Sequence, residues 1–318
     1  MRIAVLLFCA MSYFVPLAVA RDIFVNNLAG EDRFSGLVAT TDGDRSGPVR
    51  TIGRALQIAH RADRIVLAKT DQPYRESITL QGVGNSGYAD KPFTIQGNGA
   101  MLDGSVPVPG DAWQHVRGNI FRFRLGRLGH HQLFADGLPL VRRHVSSDGK
   151  IPDLKPLQWC MSRAHAYFCT EDSKSPRNYE MTHSGHSVGI TLYRVDHVVI
   201  FDLIVQGYQL DGINAHDLAR NVSLVGVASR GNGRSGVSVG GASQVTVQAC
   251  TLHENGTAQL RTEGECQAHV RLSGLLPESA PRWHIAGGRL WVDGKRVNNQ
   301  DAATVPDDTA PDDKAPQP

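Results

Sequence analysis

The reading of the fold turns on three segments: "HVVIFDLIV" at 197–205, "NVSLVGVAS" at 221–229 and "QVTVQACTL" at 244–252. Each follows a shorter landmark: Gly189-Ile190-Thr191, Gly212-Ile213-Asn214 and Gly236-Val237-Ser238. Asn-Gly turns at "RGNG" (230–233) and "HENG" (253–256) keep the same register, so the period is 23 to 24 residues. Within a unit, apolar residues alternate with polar ones (Val245 and Val247 against Thr246 and Gln248), which is the period of a strand. No apolar stripe at helical spacing survives the glycines. Two or three short strands per period are too few for a propeller blade. They fit one coil of a parallel β-helix solenoid, with coils stacked about 4.8 Å apart.

Upstream, Ile52, Ala55, Leu56, Ile58 and Ala59 give a short helix one apolar face, and Thr51 stands at its N-cap position. A solenoid needs such a lid over its first coil. The stretch "RDIFVNNLAGEDRFSG…GPVRTIGRALQIAHRADRIVLAKTDQPYRESITL" resembles the opening of exported right-handed parallel β-helix proteins of the pectate-lyase-like superfamily. It carries a first strand, a Gly-Asp loop, a Thr-Ile-x-x-Ala-Leu helix and a Tyr-Arg-Glu turn. The resemblance covers most of residues 22–104 and resumes at 187–272. It implies an all-β, right-handed parallel β-helix, in keeping with the crossover rule, and a superfamily that includes lyases, hydrolases and epimerases.

The expected organisation starts with a signal peptide at 1–20: a positive Arg2, an apolar run, and Ala18-Val19-Ala20 before Arg21. The N-terminal cap and first coils occupy 21–104, and a β-hairpin insertion, with Asp136-Gly137 as a turn, occupies 105–186. Further coils and a C-terminal hairpin fill 187–297, and an acidic, Pro-rich disordered tail runs over 298–318. The protein is expected to be secreted, periplasmic or at the cell surface, with no membrane span after cleavage. A net charge of +2 argues against a nucleic-acid partner. In an oxidising compartment, the spacing of Cys160 and Cys169 suits a disulfide across a hairpin, while Cys250 and Cys266 are left open.

Polysaccharide is the expected partner, because parallel β-helices that act on acidic glycans commonly run β-elimination. Residues 187–272 hold no lysine, so the candidate bases are arginines. Arg230, Arg234 and Arg261, with His253 and Tyr208, form either a cationic groove for a polyanion or a solvated turn face. Offsets of 24 place Gln206, Arg230 and Glu254 on successive coils, which predicts an Arg230–Glu254 ion pair. Asn232 and Asn255 are expected to stack as an amide ladder at an inner turn. Asp211, His216 and Asp217 form a polar corner unique to one coil and are candidate substrate-binding residues. The "LDGI" step resembles that of polygalacturonase-like hydrolases, but Ser235 replaces the second acid and no Gly-His-Gly follows, which disfavours that mechanism. Asp202, Asp211 and Asp217 are weak candidates for calcium. The histidines of "GHHQ" (129–132) and "HSGH" (183–186) lack a metal-site spacing. Two functions remain open: a polysaccharide-active enzyme of lyase type, and a non-catalytic carbohydrate-binding or surface protein.

Overall fold

The computed structural model describes residues 20–126, 129–146, 149–277 and 280–302. The chain is mostly β, and its described strands form four sheets, of which the two largest are parallel apart from one C-terminal pair. One has twelve strands and the other six. From Ile190 onward the chain passes repeatedly from one to the other: Ile190–Tyr193, Asp211–His216, Ser235–Val239, Ala258–Thr262 and Trp283–Ile285 line the six-stranded sheet. Between them, Asp196–Gln206, Arg220–Val225, Gln244–Gln248, Gln267–Arg271 and Arg289–Val292 line the twelve-stranded sheet.

The register is the one the repeat dictates. Ile190, Ile213, Val237, Leu260 and Trp283 stand side by side in one sheet. Val198, Val222, Val245, Ala268 and Leu290 do so in the other. Both rows are buried in one apolar core shared by the two sheets. The alternation therefore sends every second side chain into that core and leaves its neighbours outside.

The helix Ile52–Ile58 packs Ile52, Ala55 and Leu56 into the same core. Thr51 caps it, its hydroxyl accepting from Arg54 N at 3.0 Å. Glu76 adds a second cap, its carboxylate accepting from Ile52 N and Gly53 N, both at 2.9 Å. Burial pushes the Glu76 carboxyl above its ordinary range, against those two hydrogen bonds.

Residues 105–186 form two smaller, largely antiparallel sheets with apolar clusters of their own, centred on Trp159, Phe168 and Phe123. Asp136 and Gly137 both take positive φ (52° and 75°) and join Leu133–Ala135 to Leu138–Pro139, as the Asp-Gly signal indicates. The insertion reaches the parallel sheets where Phe134 and Pro139 press on Gly231.

Three expectations are corrected. Cys160 and Cys169 are free thiols, not a disulfide. In the hairpin Gln158–Ser162/His165–Cys169, Tyr167 faces Cys160 and Phe168 faces Trp159, so Cys169 falls outside the cross-strand position. Cys250 and Cys266 are also free and buried. Second, the tail begins later than 298: Asn298 caps the 3-10 turn Asn299–Asp301, and Asn299 exchanges hydrogen bonds with the backbone of Ile285 at 2.7 and 2.8 Å. Third, the C-terminal hairpin is narrower than "WHIAGGRLWVDGKRV": only Arg289–Val292 and Lys295–Val297 pair antiparallel, while Trp283–Ile285 joins the parallel six-stranded sheet. Residues 1–19 and 303–318, which carry nearly all of the expected signal peptide and most of the expected tail, lie outside the described residues. No described helix is long and apolar enough to cross a membrane.

Burial pushes the Cys160 thiol up to about 11, so it stays in the unreactive thiol form at neutral pH. We expect the urea midpoint to be unchanged by reductant, and a thiol reagent to label these cysteines only after unfolding. A midpoint that falls on reduction would show that the cysteines do pair.

Candidate functional site

The polar corner and the arginines come together, but mostly to satisfy one another. Asp211 is fully buried. It accepts from both Nε (3.0 Å) and Nη2 of Arg234 and from the Ser235 hydroxyl at 2.6 Å. That bidentate pair holds the Arg234 guanidinium above its ordinary range, chiefly through the hydrogen bond, with burial opposing and the charges of Asp211 and Glu263 assisting. Asp211 is thus a buried counter-ion and not an open ligand for substrate or calcium.

Arg230 does not meet Glu254. It pairs in register with His253, and its Nε donates to Gln206 Oε1 at 2.9 Å. Glu254 instead lies 3.1 Å from His253 Nδ1. The offset at this step is one residue shorter than the one that aligned Gln206 with Arg230, so the row is Asp103, Gln206, Arg230, His253. Arg261 stacks on Ser238, not on Arg234, and its Nε lies 3.4 Å from Glu263 Oε2.

Tyr208 is also corrected: it is wholly buried and its hydroxyl donates to Glu76 O. Residues 104 and 189 are glycines by necessity, since a Cβ at either would collide with the Tyr208 ring at 2.4 to 2.7 Å. Burial holds its phenol far above the ordinary range. It is a core residue.

His216 and Asp217 remain half-buried at the surface. His216 packs 5.1 Å from the Tyr193 ring, and Asp217 lies between His216 Nδ1 (3.7 Å) and Arg194 Nε (3.8 Å). Asp202 lies on a strand of the other parallel sheet. The three candidate calcium ligands do not converge, and no group of three or more His, Cys, Asp or Glu side chains is placed to hold a metal among the described residues.

The insertion brings the two histidine segments together. Gln132 N donates to Ser184 Oγ at 3.1 Å, and the rings of His131 and His183 are 6.0 Å apart. Burial, then the neighbouring His131, pushes His183 down. Partial desolvation, followed by the charges of Arg234 and Arg142, does the same to His130. These imidazoles are therefore neutral near pH 7.

A different surface is the more open one. On the outside of the twelve-stranded sheet, a groove of about 380 Å³ is lined by His197, Asn221, Ser223, Gln244, Thr246 and His269, among others. Ser223, Thr246, His269 and Trp291 form one row across four strands. At its end His269 and Trp291 stack at 4.4 Å with their planes only 6° apart. Desolvation and then Arg271 push the His269 imidazole down, so the row presents hydroxyls and a neutral ring, with the amides of Asn221 and Gln244 beside it. Sequence reasoning passed over these residues, though the signal was there: they occupy the outward positions of the same repeat whose inward positions revealed the fold.

Solved structures that resemble the chain include one described as a glycoside hydrolase, at 10% identity and a TM-score of 0.53, over 81% of this chain and 76% of that one. The likeness is one of fold. Others are XylC with xylose, at 12% identity and TM-score 0.41 over 86% of this chain and 70% of that one, and the GH136 lacto-N-biosidase from Eubacterium ramulus, at 11% and 0.40 over 80% and 43%. No family model matches the chain, and no curated protein matches it.

Proposed function

We propose that this is an exported right-handed parallel β-helix protein that binds polysaccharide along the outer face of its twelve-stranded sheet. The observation that carries the reading is the stacked His269–Trp291 pair at the end of a row of hydroxyl side chains, beside the groove amides of Asn221 and Gln244. A sugar offers an apolar ring face to an aromatic plane and hydroxyls to short polar side chains. Rows spaced by the strand separation repeat those contacts along a chain of sugars. The repeated register and the alternation between two parallel sheets support the β-helix reading, and the fold shared with a structure described as a glycoside hydrolase supports a carbohydrate partner.

Because the groove is lined mainly by neutral groups, it suits neutral glycans better than polyuronates. Lyase-type β-elimination would need a cation to neutralise the uronate carboxylate and a deprotonated base to take the carbon-bound proton. Arg230, Arg234 and Arg261 each already face an amide or a carboxylate. The second reading is hydrolysis, which needs two carboxylates across the scissile bond; the half-buried Glu263, 3.4 Å from Arg261 Nε, would supply one of them.

Trp291→Ala is expected to weaken binding to a responsive neutral polysaccharide roughly tenfold, the worth of one good aromatic contact. His269→Ala should weaken it less, as measured by affinity electrophoresis across neutral and uronate glycans. Binding that survives both changes would overturn the assignment of the groove. Reducing sugars released by the wild type and abolished by Glu263→Gln would favour the hydrolytic reading, and unsaturated products detected by ultraviolet absorbance would revive the lyase.

A further inference from the structure

The strongest unassigned geometry lies where the chain enters the fold. Asp63 is 2% exposed, yet it carries a carboxylate with four N–H donors around it. His60 N donates to Oδ2 at 2.7 Å, and Arg21 supplies the rest. The Arg21 side chain donates through Nε (3.2 Å) and Nη2 (2.6 Å), and its main-chain N donates to Oδ1 at 3.0 Å. Nη2 also reaches Ile58 O at 3.2 Å, the carbonyl of the last residue of the helix Ile52–Ile58. Arg64 N donates to Arg21 O at 2.9 Å. One residue is therefore tied down through its amide, its carbonyl and its side chain.

In the sequence, Arg21 is also the residue that follows Ala18-Val19-Ala20, the small-x-small pattern of a signal-peptide cleavage site. We propose that cleavage between Ala20 and Arg21 turns this contact into an ion pair, in which the new α-ammonium of Arg21 seats on Asp63 and locks the first strand. In that hydrolysis, catalysed by a signal peptidase, water is divided across the peptide bond. Ala20 leaves with a carboxylate, and the Arg21 amine takes up a proton at neutral pH.

The exchange improves the site in a specific way. An uncleaved amide offers Asp63 Oδ1 one neutral N–H; the ammonium offers three donors and a full charge at the same place. Nothing else need move, since the guanidinium already divides itself between Oδ2 and the C-terminal carbonyl of the helix, where a cation is favoured. The strand it anchors, Asp22–Val25, is the terminal strand of the twelve-stranded sheet and pairs along one side with Arg64–Leu67. Its start is thus the place where the sheet would otherwise fray. The hydrogen bonds from Arg21 and His60 overcome the burial of Asp63 and hold its carboxyl below the ordinary range, so it is ionised throughout the neutral window. Other charged groups nearby are His60 itself, the Arg64–Asp22 pair and Arg61, which lies over the Tyr88 ring.

The sign of the pH effect follows. An α-ammonium gaining a partner has its pKa raised above the unfolded value of about 8. The stability it adds is complete below that value and is lost as pH rises through the raised one. The test compares the chain beginning at Arg21 with one carrying two extra residues before it, and with the chain N-acetylated at Arg21. The expected result is that the processed chain unfolds at a higher temperature at pH 7 and loses that lead between about pH 8 and 9.5. The acetylated chain, which shares every other titrating group, and the extended chain, whose own α-amine lies away from Asp63, should lack the step. Asp63→Asn should erase the difference among the three; should that variant not fold, the acetylated chain still decides. Coincident curves for all three, or an exported protein whose mass shows cleavage at another bond, would overturn the proposal.

Discussion

Replacing Arg234 with alanine is expected to destabilise the protein by about 3–5 kcal/mol, because it leaves Asp211 buried, charged and without its cation. Asp211 has no exposure at all, and the Ser235 hydroxyl would be its only remaining strong side-chain donor. Chemical denaturation at pH 7 measures the loss directly. The double variant Asp211→Asn with Arg234→Gln should recover more than half of it, since removing both charges removes the penalty that the single change exposes. If Arg234 were instead a solvent-facing substrate ligand, the single variant would cost less than about 1 kcal/mol and glycan affinity would fall. We expect the reverse: a large loss of stability, and unchanged affinity in the fraction that remains folded. The pair works as a clip between the strands Asp211–His216 and Ser235–Val239, at the point where the insertion approaches through His130 O and Gly233.

What could be seen in the sequence was whatever the repeat imposes locally. Gly212-Ile213-Asn214 and its two neighbours announced a strand, and the inward rows follow from alternation alone. Thr51 as a helix cap, Asp136-Gly137 as a turn and Asn232 over Asn255 as a ladder likewise depend only on residues close in the chain or one coil apart. The failures share a different cause. Glu254 was aligned with Arg230 by assuming a constant offset, and a step one residue shorter put His253 there instead. Between Cys160 and Cys169 the turn chose the register, and the register chose Tyr167 as the partner. Tyr208 looked like a surface residue because nothing in its neighbourhood tells that Gly104 and Gly189, both distant in sequence, vacate the space for its ring. The outward row that ends in Trp291 was overlooked because inward residues announce themselves by hydrophobicity, whereas the outward ones vary freely. The proposed binding row lies in that varying set, which is why the fold was more legible than the site.

The second large effect is expected at Asn232, which is fully buried at an inner turn. Its Oδ1 accepts from Tyr208 N at 3.2 Å, and its Nδ2 donates to Asn255 Oδ1 at 3.0 Å and Ser229 Oγ at 3.1 Å. Asn255 continues the series to Gln259 Oε1 at 2.8 Å, and Gln259 donates to Ala280 O. Asn232→Ala leaves a buried amide N–H and a side-chain acceptor short of partners, each worth about 1–3 kcal/mol, so a total near 2–4 kcal/mol is expected by urea unfolding. Asn232→Asp tests the donor in particular. It keeps the shape but turns the donor toward Asn255 Oδ1 into a second acceptor. At pH 7 it must bury a charge, and its carboxyl will be raised. The folded state then prefers the protonated acid, so this variant should gain stability relative to wild type as pH falls from 7 toward 5. A space-filling role would instead leave Asn232→Leu, similar in volume, nearly as stable as the wild type, because no hydrogen bond would be lost. Hydrogen exchange at Tyr208 N locates the damage: it should accelerate in Asn232→Ala before exchange in the outer strands does, because that amide loses its acceptor, whereas Asn232→Asp keeps an oxygen for it.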